Sequence, residues 1–502
     1  MATTIIIMKG NIMKKHIKAL SVLLAFLLTL AVFVSCDSDN TPENDTQDAG
    51  SESASETTSE TIVLEDKPDI SKKNYGADYF LHIHGDVNPI DFYWVEESEN
   101  DVLSQAIYDR QRKVSDYLGV EIIGTRTLAE TKYIEPFKTA VKNKDGSVHT
   151  LLTHNYQGIP TLVSENFFTD LKTVSQLDLD ADYWNADFMD SISVKDHYFL
   201  GFSNFNILYT NVISFNKAMM AKYEASLDES VYSMVNNYRW TLDQMISLAN
   251  LVYIDTTGDG KTIDDTFGIS GLQSVPFVNF LQGSNINLVE LNEKGDYEVS
   301  VYNELNKNRT TVLVDKLLDL AKSDCSWFWA FRATETVKMN SGKVLMNLSP
   351  SVELPSYLNY DVDFGVLPYP MFDESQKDVG YRSLQWGGYI ALPSYLDDPD
   401  MAAETIEMLS YFSDDVNTAF YEKLLGKQVA DSPDDKKMLE IIWDSVCSDF
   451  GQTYFEAMPG TDLLYIVPRL TVANTTKNIA SFMATVDKSA NKLIRKFLSG
   501  IK

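Results

Sequence analysis

Apolar and polar positions fall into short blocks from about residue 75 onward, and the blocks predict alternating strands and helices. Tyr79–His84 (YFLHIH) reads as a strand. Leu103, Ala106, Ile107, Val114, Tyr117 and Leu118 follow at mostly helical spacing, with Asn100 or Asp101 as cap and Gly119 as stop. Val120–Ile123 reads as a second strand, Glu130–Lys142 as a second helix and Val148–Thr153 as a third strand. Strand, helix, strand, helix, strand implies parallel pairing with crossover helices, an α/β lobe.

The later blocks predict a chain that passes between two lobes. Tyr198–Phe215 is a long apolar stretch. Trp240 precedes a helix with Thr241 as cap and Asp243 in its positively polarised first turn, and Trp240 itself reads as core. Phe267–Ser270 and Lys343–Leu348 read as buried strands. Asp363–Pro370 is a strand closed by Pro368 and Pro370, since proline cannot donate to a ladder. Gln385–Pro393 reads as one further strand, with Gly387 and Gly388 beside Trp386. Helices are expected at Met401–Phe412, after the cap Ser432 with Pro433 at its first position, and from about Thr476 to Leu498. The last has the apolar stripe Ile479, Phe482, Met483, Val486, Ala490, Leu493 and Phe497.

The N-terminal blocks differ in kind. Lys14, Lys15 and Lys18 precede the uninterrupted apolar run Ala19–Val34, then Ser35 and Cys36. A basic segment, a short apolar segment and a small residue at the cut describe a secretory signal; an uncleaved membrane anchor is the alternative. Asp37–Ile70 is rich in Ser, Thr, Asp, Glu and Asn, which predicts a flexible acidic tether.

Composition narrows the function classes. A chain of 502 residues favours two lobes over one core. Its formal net charge of −30 argues against nucleic-acid binding and against adhesion to an anionic membrane. Three cysteines exclude a disulfide-built scaffold; Cys325 and Cys447 read as buried free thiols, with a disulfide between them as the alternative. There is no G-x-S-x-G elbow and no Walker or Rossmann glycine motif, and no acidic pair stands out as a glycosidase pair, so no catalytic residue is assigned.

Several segments carry a family resemblance. "GKVLMNL", "DFGVLPYP" and "ALP" within Gly342–Pro393, "FNK" at Phe215–Lys217 and "WTLDQMISLA" resemble extracellular solute-binding proteins of ABC importers, of the family 1 carbohydrate type. "AIYDRQRKVSDYLGVEI" resembles the first helix and second strand of many clostridial-type members, and "FVSC" resembles a bacterial lipobox. The resemblance implies an α/β, two-lobed periplasmic-binding-protein-like fold, each lobe a sheet flanked by helices and joined by hinge crossovers. It implies residues 1–35 as signal, 36–72 as tether, 73–203 plus 366–413 as N-terminal lobe and 204–365 plus 414–502 as C-terminal lobe. It further implies lipidation of Cys36 on the outer face of the cytoplasmic membrane and delivery of a carbohydrate, an oligosaccharide first, to ABC permease subunits by lobe closure. Membrane contact through the lipid alone and a monomer are expected. A secreted glycan-active enzyme and a glycan-sensing or adhesion lipoprotein without transport remain as alternatives.

Candidate ligand contacts follow. His154, Asn155 and Tyr156 come directly after a strand, where ligands of open α/β sheets bind. Asn204 and Tyr209 lie on the expected first crossing, Gly201–Tyr209, and Arg382 and Trp386 on the second. Trp327 and Trp329 form an aromatic patch; sugars stack on such rings, and core packing is the alternative. No cofactor is required. Asp255, Thr257, Asp259, Lys261, Asp264 and Asp265 surround a glycine turn that starts like a calcium loop, with Thr266 where a bidentate glutamate would stand. The alternative there is a polar turn.

Overall fold

A computed structural model describes residues 68–84, 92–98, 101–127, 133–153, 158–272, 275–329, 334–357, 361–421, 432–455 and 479–501. The chain divides into two units, Met1–Leu64 and Glu65–Lys502. The first, with the expected signal and Cys36, lies outside the described residues. So do His154, Asn155 and Tyr156. No described helix is long and apolar enough to cross a membrane.

The strands are β1 (Ala77–His84), β2 (Val120–Thr127), β3 (Thr150–Thr153), β4 (Asn211–Asn216), β5 (Tyr253–Ile254), β6 (Thr266–Leu272), β7 (Val289–Leu291), β8 (Tyr297–Val299), β9 (Ser326–Trp329), β10 (Val344–Pro350), β11 (Phe364–Leu367), β12 (Ser383–Leu384), β13 (Tyr389–Ala391) and β14 (Val446–Cys447). The helices that matter below are α1 (Val102–Leu118), α2 (Ile134–Asn143), α3 (Ile159–Ser164), α4 (Leu242–Asn250), α5 (Val275–Gly283), α6 (Lys307–Lys322), α7 (Pro399–Tyr411), α8 (Pro433–Asp444), α9 (Phe450–Phe455) and α10 (Ile479–Gly500).

Local chemistry sets the helix ends. Asp101 caps α1 by accepting from the amides of Leu103 and Ser104, and Gly119 ends it in the left-handed region at φ 65°. Leu103, Ile107, Val114 and Leu118 make its buried stripe. Thr241 caps α4 and Ser432 caps α8, with Pro433 in the first turn. The stripe of α10 departs from the expected one at a single position. Ile494 is buried in place of Leu493, because the helix advances four residues from Ala490 to keep its apolar row on one side.

Two sheets dominate. The first runs β13-β3-β1-β2, with β1 parallel to both β2 and β3, and β13 antiparallel to β3. The second runs β11-β4-β10-β6-β5, with β9 also on β6; β6, β9 and β10 are parallel, and β4 is antiparallel to β10 and β11. A strand from residues 389–391 therefore completes a sheet otherwise built from residues 77–153, while the second sheet is drawn from residues 253–367 and β4. Of the expected strand Gln385–Pro393 only Tyr389–Ala391 forms one, and β12 ends before it at Leu384. Gly387 and Gly388 both have positive φ, 81° and 78°, which breaks the ladder and turns the chain between β12 and β13.

α1 and α7 pack together on the first sheet's side, and α8 packs on β11 of the second. α10 touches both α3, which follows β3, and β8. The hairpin β7–β8 is a sheet of its own between α5 and α6 in the chain, and Thr310 of α6 donates to Val301 O just after β8 (2.6 Å).

Candidate functional site

The registers fix where the two sheets meet. The parallel strands of the first sheet end at His84, Thr127 and Thr153, and those of the second at Leu272, Trp329 and Pro350. The chain leaves the first sheet beside β13, where Gly201 bridges Ile390, and enters the second at Asn211, opposite Pro350. It returns from Leu367 of β11 to Tyr389 of β13, opposite Thr153.

These two crossings bond to each other. The Gly388 amide donates to Thr153 O (2.6 Å) and the Trp386 amide to Tyr209 O (2.7 Å). Gln385 Oε1 accepts from the Tyr209 amide (3.0 Å), and its Nε2 donates to Ile207 O (3.0 Å). The Ser351 amide, just past β10, donates to Thr210 O (2.7 Å), and Ser351 Oγ accepts from the Thr210 amide (3.2 Å). A continuous hydrogen-bonded path thus runs from Thr153 through Gly388, Trp386, Tyr209 and Thr210 to Ser351. It brings the carboxyl ends of both sheets to one junction, which is where open α/β sheets bind ligands.

The junction is lined by amides and hydroxyls. The Trp386 indole, 6% exposed, donates to Asn279 Oδ1 on α5 (3.1 Å), and Asn211 Nδ2 donates to the same oxygen (3.3 Å). Thr210 Oγ1, Asn211 Oδ1 and Asn279 Nδ2 are buried and find no hydrogen-bond partner among the described residues. Unpartnered buried polar atoms are costly, so three at one junction make it a place suited to a polar occupant such as water or ligand hydroxyls.

The expected contact residues divide. Tyr209 and Trp386 sit side by side at the junction. Trp329 is the last residue of β9, at the carboxyl end of the second sheet, and is half-buried. Trp327, two residues earlier, packs its ring 5.4 Å from that of Phe267. Arg382 is engaged in the fold: its Nη2 donates to Gln282 Oε1 (3.0 Å) and Asn287 Oδ1 (3.3 Å). Gln282 Nε2 in turn donates to the buried Asp449 (2.7 Å). Burial pushes the Asp449 carboxyl up to about 6 and raises the Cys447 thiol beside it. Asn204 ties the first crossing to the segment after α7, donating to Asp414 Oδ1 (2.7 Å) while its carbonyl accepts from Asn417 (2.9 Å). Burial likewise raises the Asp414 carboxyl.

Sequence reasoning missed Asn211, Asn279 and Thr210. One signal was available. α5 is buried and apolar around its surface except for Asn279 and Gln282, three residues apart on one face.

In the 255–265 loop, Asp255 accepts from the amides of Gly258 (2.6 Å) and Gly260 (3.2 Å), and the Thr257 hydroxyl donates to Asp259. Lys261 reaches Ser323 O (2.8 Å), and Lys343 pairs with Asp264 (3.1 Å). Asp265 is buried and accepts from the amides of Thr262 (2.8 Å) and Thr256 (2.9 Å). The Thr262 amide is the main reason its carboxyl lies below the usual range. Among the described residues, no group of three or more His, Cys, Asp or Glu side chains is arranged to hold a metal ion. Cys325 and Cys447 are both free.

No protein-family model matches the chain, and none of the curated proteins is similar to it. Solved structures are. The GacH receptor of Streptomyces glaucescens, described unliganded and with acarbose, is 13% identical and covers 85% of this chain and 99% of its own, at a TM-score of 0.53. The ABC substrate-binding protein Lmo0181 of Listeria monocytogenes, in complex with cycloalternan, is 12% identical over 84% of this chain and 99% of its own, at 0.52. The maltose/maltodextrin-binding domain MalE of Bdellovibrio bacteriovorus, bound to maltotriose, is 14% identical over 83% of this chain and 100% of its own, at 0.50. At these identities the likeness is one of fold: the chain is a mixed α/β protein of the two-lobed, MalE-like periplasmic-binding-protein type.

Proposed function

We propose that the chain is the extracellular solute-binding component of an ABC importer, delivering a carbohydrate, oligosaccharide first, and held to the membrane by a lipid on Cys36. The observation that carries the reading is the junction itself. Carboxyl ends of two sheets converge on neutral amide and hydroxyl groups, three of them without partners among the described residues, next to Tyr209, Trp386 and Trp329. Neutral donors and acceptors beside aromatic rings suit a polyol better than an ion or an apolar ligand. The structural neighbours are sugar-complexed binding proteins and not enzymes, which supports binding over turnover. A solute touching both lobes favours the state in which both contacts are made, so capture is a population shift towards closure.

Thermal melting against maltose, maltotriose, acarbose and cycloalternan, with peptides as the contrast, tests the ligand class. A bound sugar at 100 times its Kd adds about 2.7 kcal/mol of stability. The expected result is a rise in melting temperature with at least one glycan, lost in Asn279→Leu. A rise with peptides and with no glycan overturns the carbohydrate assignment. Retention of the protein with cell membranes, lost in Cys36→Ser, checks the anchor.

For the 255–265 loop we propose a structural calcium ion held by Asp255, Thr257, Asp259, Asp264, Asp265 and the Lys261 carbonyl. Binding would require these groups to turn from their present amide and Lys343 partners towards one centre, since no three of the carboxylates share one now. EDTA is then expected to lower the melting temperature, and Asp259→Ala to abolish that response. A melting temperature indifferent to chelation leaves the loop as a self-bonded polar turn.

A further inference from the structure

The crossings are not the sole link between the two sheets' bodies; the C-terminal end of the chain makes another. α10 buries Ile479, Phe482, Met483, Val486, Ala490, Ile494 and Phe497 along one stripe. The helix lies on α3, which follows β3 of the first sheet, and on β8, which is tied to the second sheet through α6: Thr310 donates to Val301 O (2.6 Å), and α6 packs on β9. α9 touches α3 and β7. The Phe497 ring packs against Tyr454 (5.1 Å between centroids) and Phe450 (6.0 Å), and Tyr297 of β8 stacks on Phe450 at 4.0 Å.

Hydrogen bonds close the contact on one turn of the first sheet's body. Tyr454 donates its hydroxyl to Ile192 O (3.0 Å), and Tyr297 donates to the next carbonyl, Ser193 O (3.0 Å). Lys195 Nζ, from the same turn, donates to Ile501 O (3.0 Å). The approach of α10 to α3 is close enough to require glycine: a Cβ on Gly500 would stand 2.6 Å from Ser164 O.

We propose that α9, α10 and the β7–β8 hairpin form a clasp that holds the two sheet bodies together beside the crossings, so that the cleft works by a restricted motion and not by free opening. Polar, wet interfaces let domains move; large apolar ones resist separation. This one is apolar along its helix and aromatic at its centre. Two bodies joined at the crossings and again at the clasp retain mainly rotation about the line through both attachments. The inference concerns how the lobes move and does not rest on what the cleft binds.

Small-angle scattering from the full chain without ligand tests it. Gly500→Ala drives a methyl group against the Ser164 carbonyl and wedges α10 from α3, while alanine favours the helix itself. The expected result is a larger radius of gyration than wild type, with unchanged circular dichroism and a cooperative melt. An unchanged radius overturns the clasp. If Gly500→Ala does not fold, Tyr297→Phe/Tyr454→Phe decides the matter: it keeps both rings and removes both donors, and a larger radius supports the clasp while an unchanged one overturns it. Failure to bind any sugar leaves these outcomes as they are.

Discussion

Trp240→Ala is expected to cost about 3–5 kcal/mol of stability, the range for deleting a large aromatic side chain from a packed core. Trp240 is 0% exposed. Its indole donates to Pro368 O (3.0 Å), at the point where the chain leaves β11, and its own carbonyl accepts from the Met371 amide (3.2 Å). The Leu242 amide then donates to Met371 O (2.8 Å), so the first turn of α4 and the exit of β11 are bonded through this residue. Alanine leaves a cavity of indole size and a buried carbonyl without its donor, and the two losses add. Urea unfolding monitored by circular dichroism measures the change. A loss below about 1 kcal/mol would mean that the surroundings collapse onto the space. Trp327, half-buried on an edge strand, is the internal contrast and should cost less.

Asp449→Asn is expected to alter the pH dependence of stability by on the order of 3 kcal/mol between about pH 4 and pH 7. Burial raises the native carboxyl from its ordinary 3.8 to about 6, against amide donors and Arg382, which act the other way. Between those two values the folded chain holds a proton that the unfolded chain has released. Asp449 therefore favours folding most below pH 4, and that contribution is lost as pH rises through 6. Wild-type stability relative to Asp449→Asn should fall across this window and stay level above it. Other carboxyls titrate in both forms, so the difference between them isolates the residue. A difference independent of pH would mean that Asp449 titrates normally. The site matters because Asp449 joins α5, through Gln282, to the amide of Leu288 and the start of α9.

How much of this was legible in the chain depended on the range of the interaction concerned. Caps and stops are local chemistry, and Asp101, Gly119, Thr241, Ser432 and Pro433 act where their side chains predict. The strand–helix alternation up to Thr153 led to parallel pairing, which the β1–β2 and β1–β3 registers bear out. The paired glycines beside Trp386 read as a turn as well as part of a strand; positive φ at both makes them the turn, with the strand starting after them at Tyr389.

Side-chain partners were not legible, because they are set by residues far away in sequence. Arg382 looked available for a ligand and is bonded to α5, about a hundred residues earlier. Asn204 looked like a cleft residue and ties the first crossing to the segment after α7 through Asp414. Asn279 was passed over inside an apolar helix, yet it meets both Asn211 and Trp386. The sequence by itself determined the strand–helix alternation up to Thr153, the helix caps and stops, the acidic composition and the absence of known catalytic motifs, since each follows from local composition and periodicity. Tertiary structure alone decided which carboxyl ends face each other, which polar atoms stay unpartnered at their junction, and that the last helix reaches both sheets' bodies. Those features arise from registers and crossings between segments that no local pattern connects.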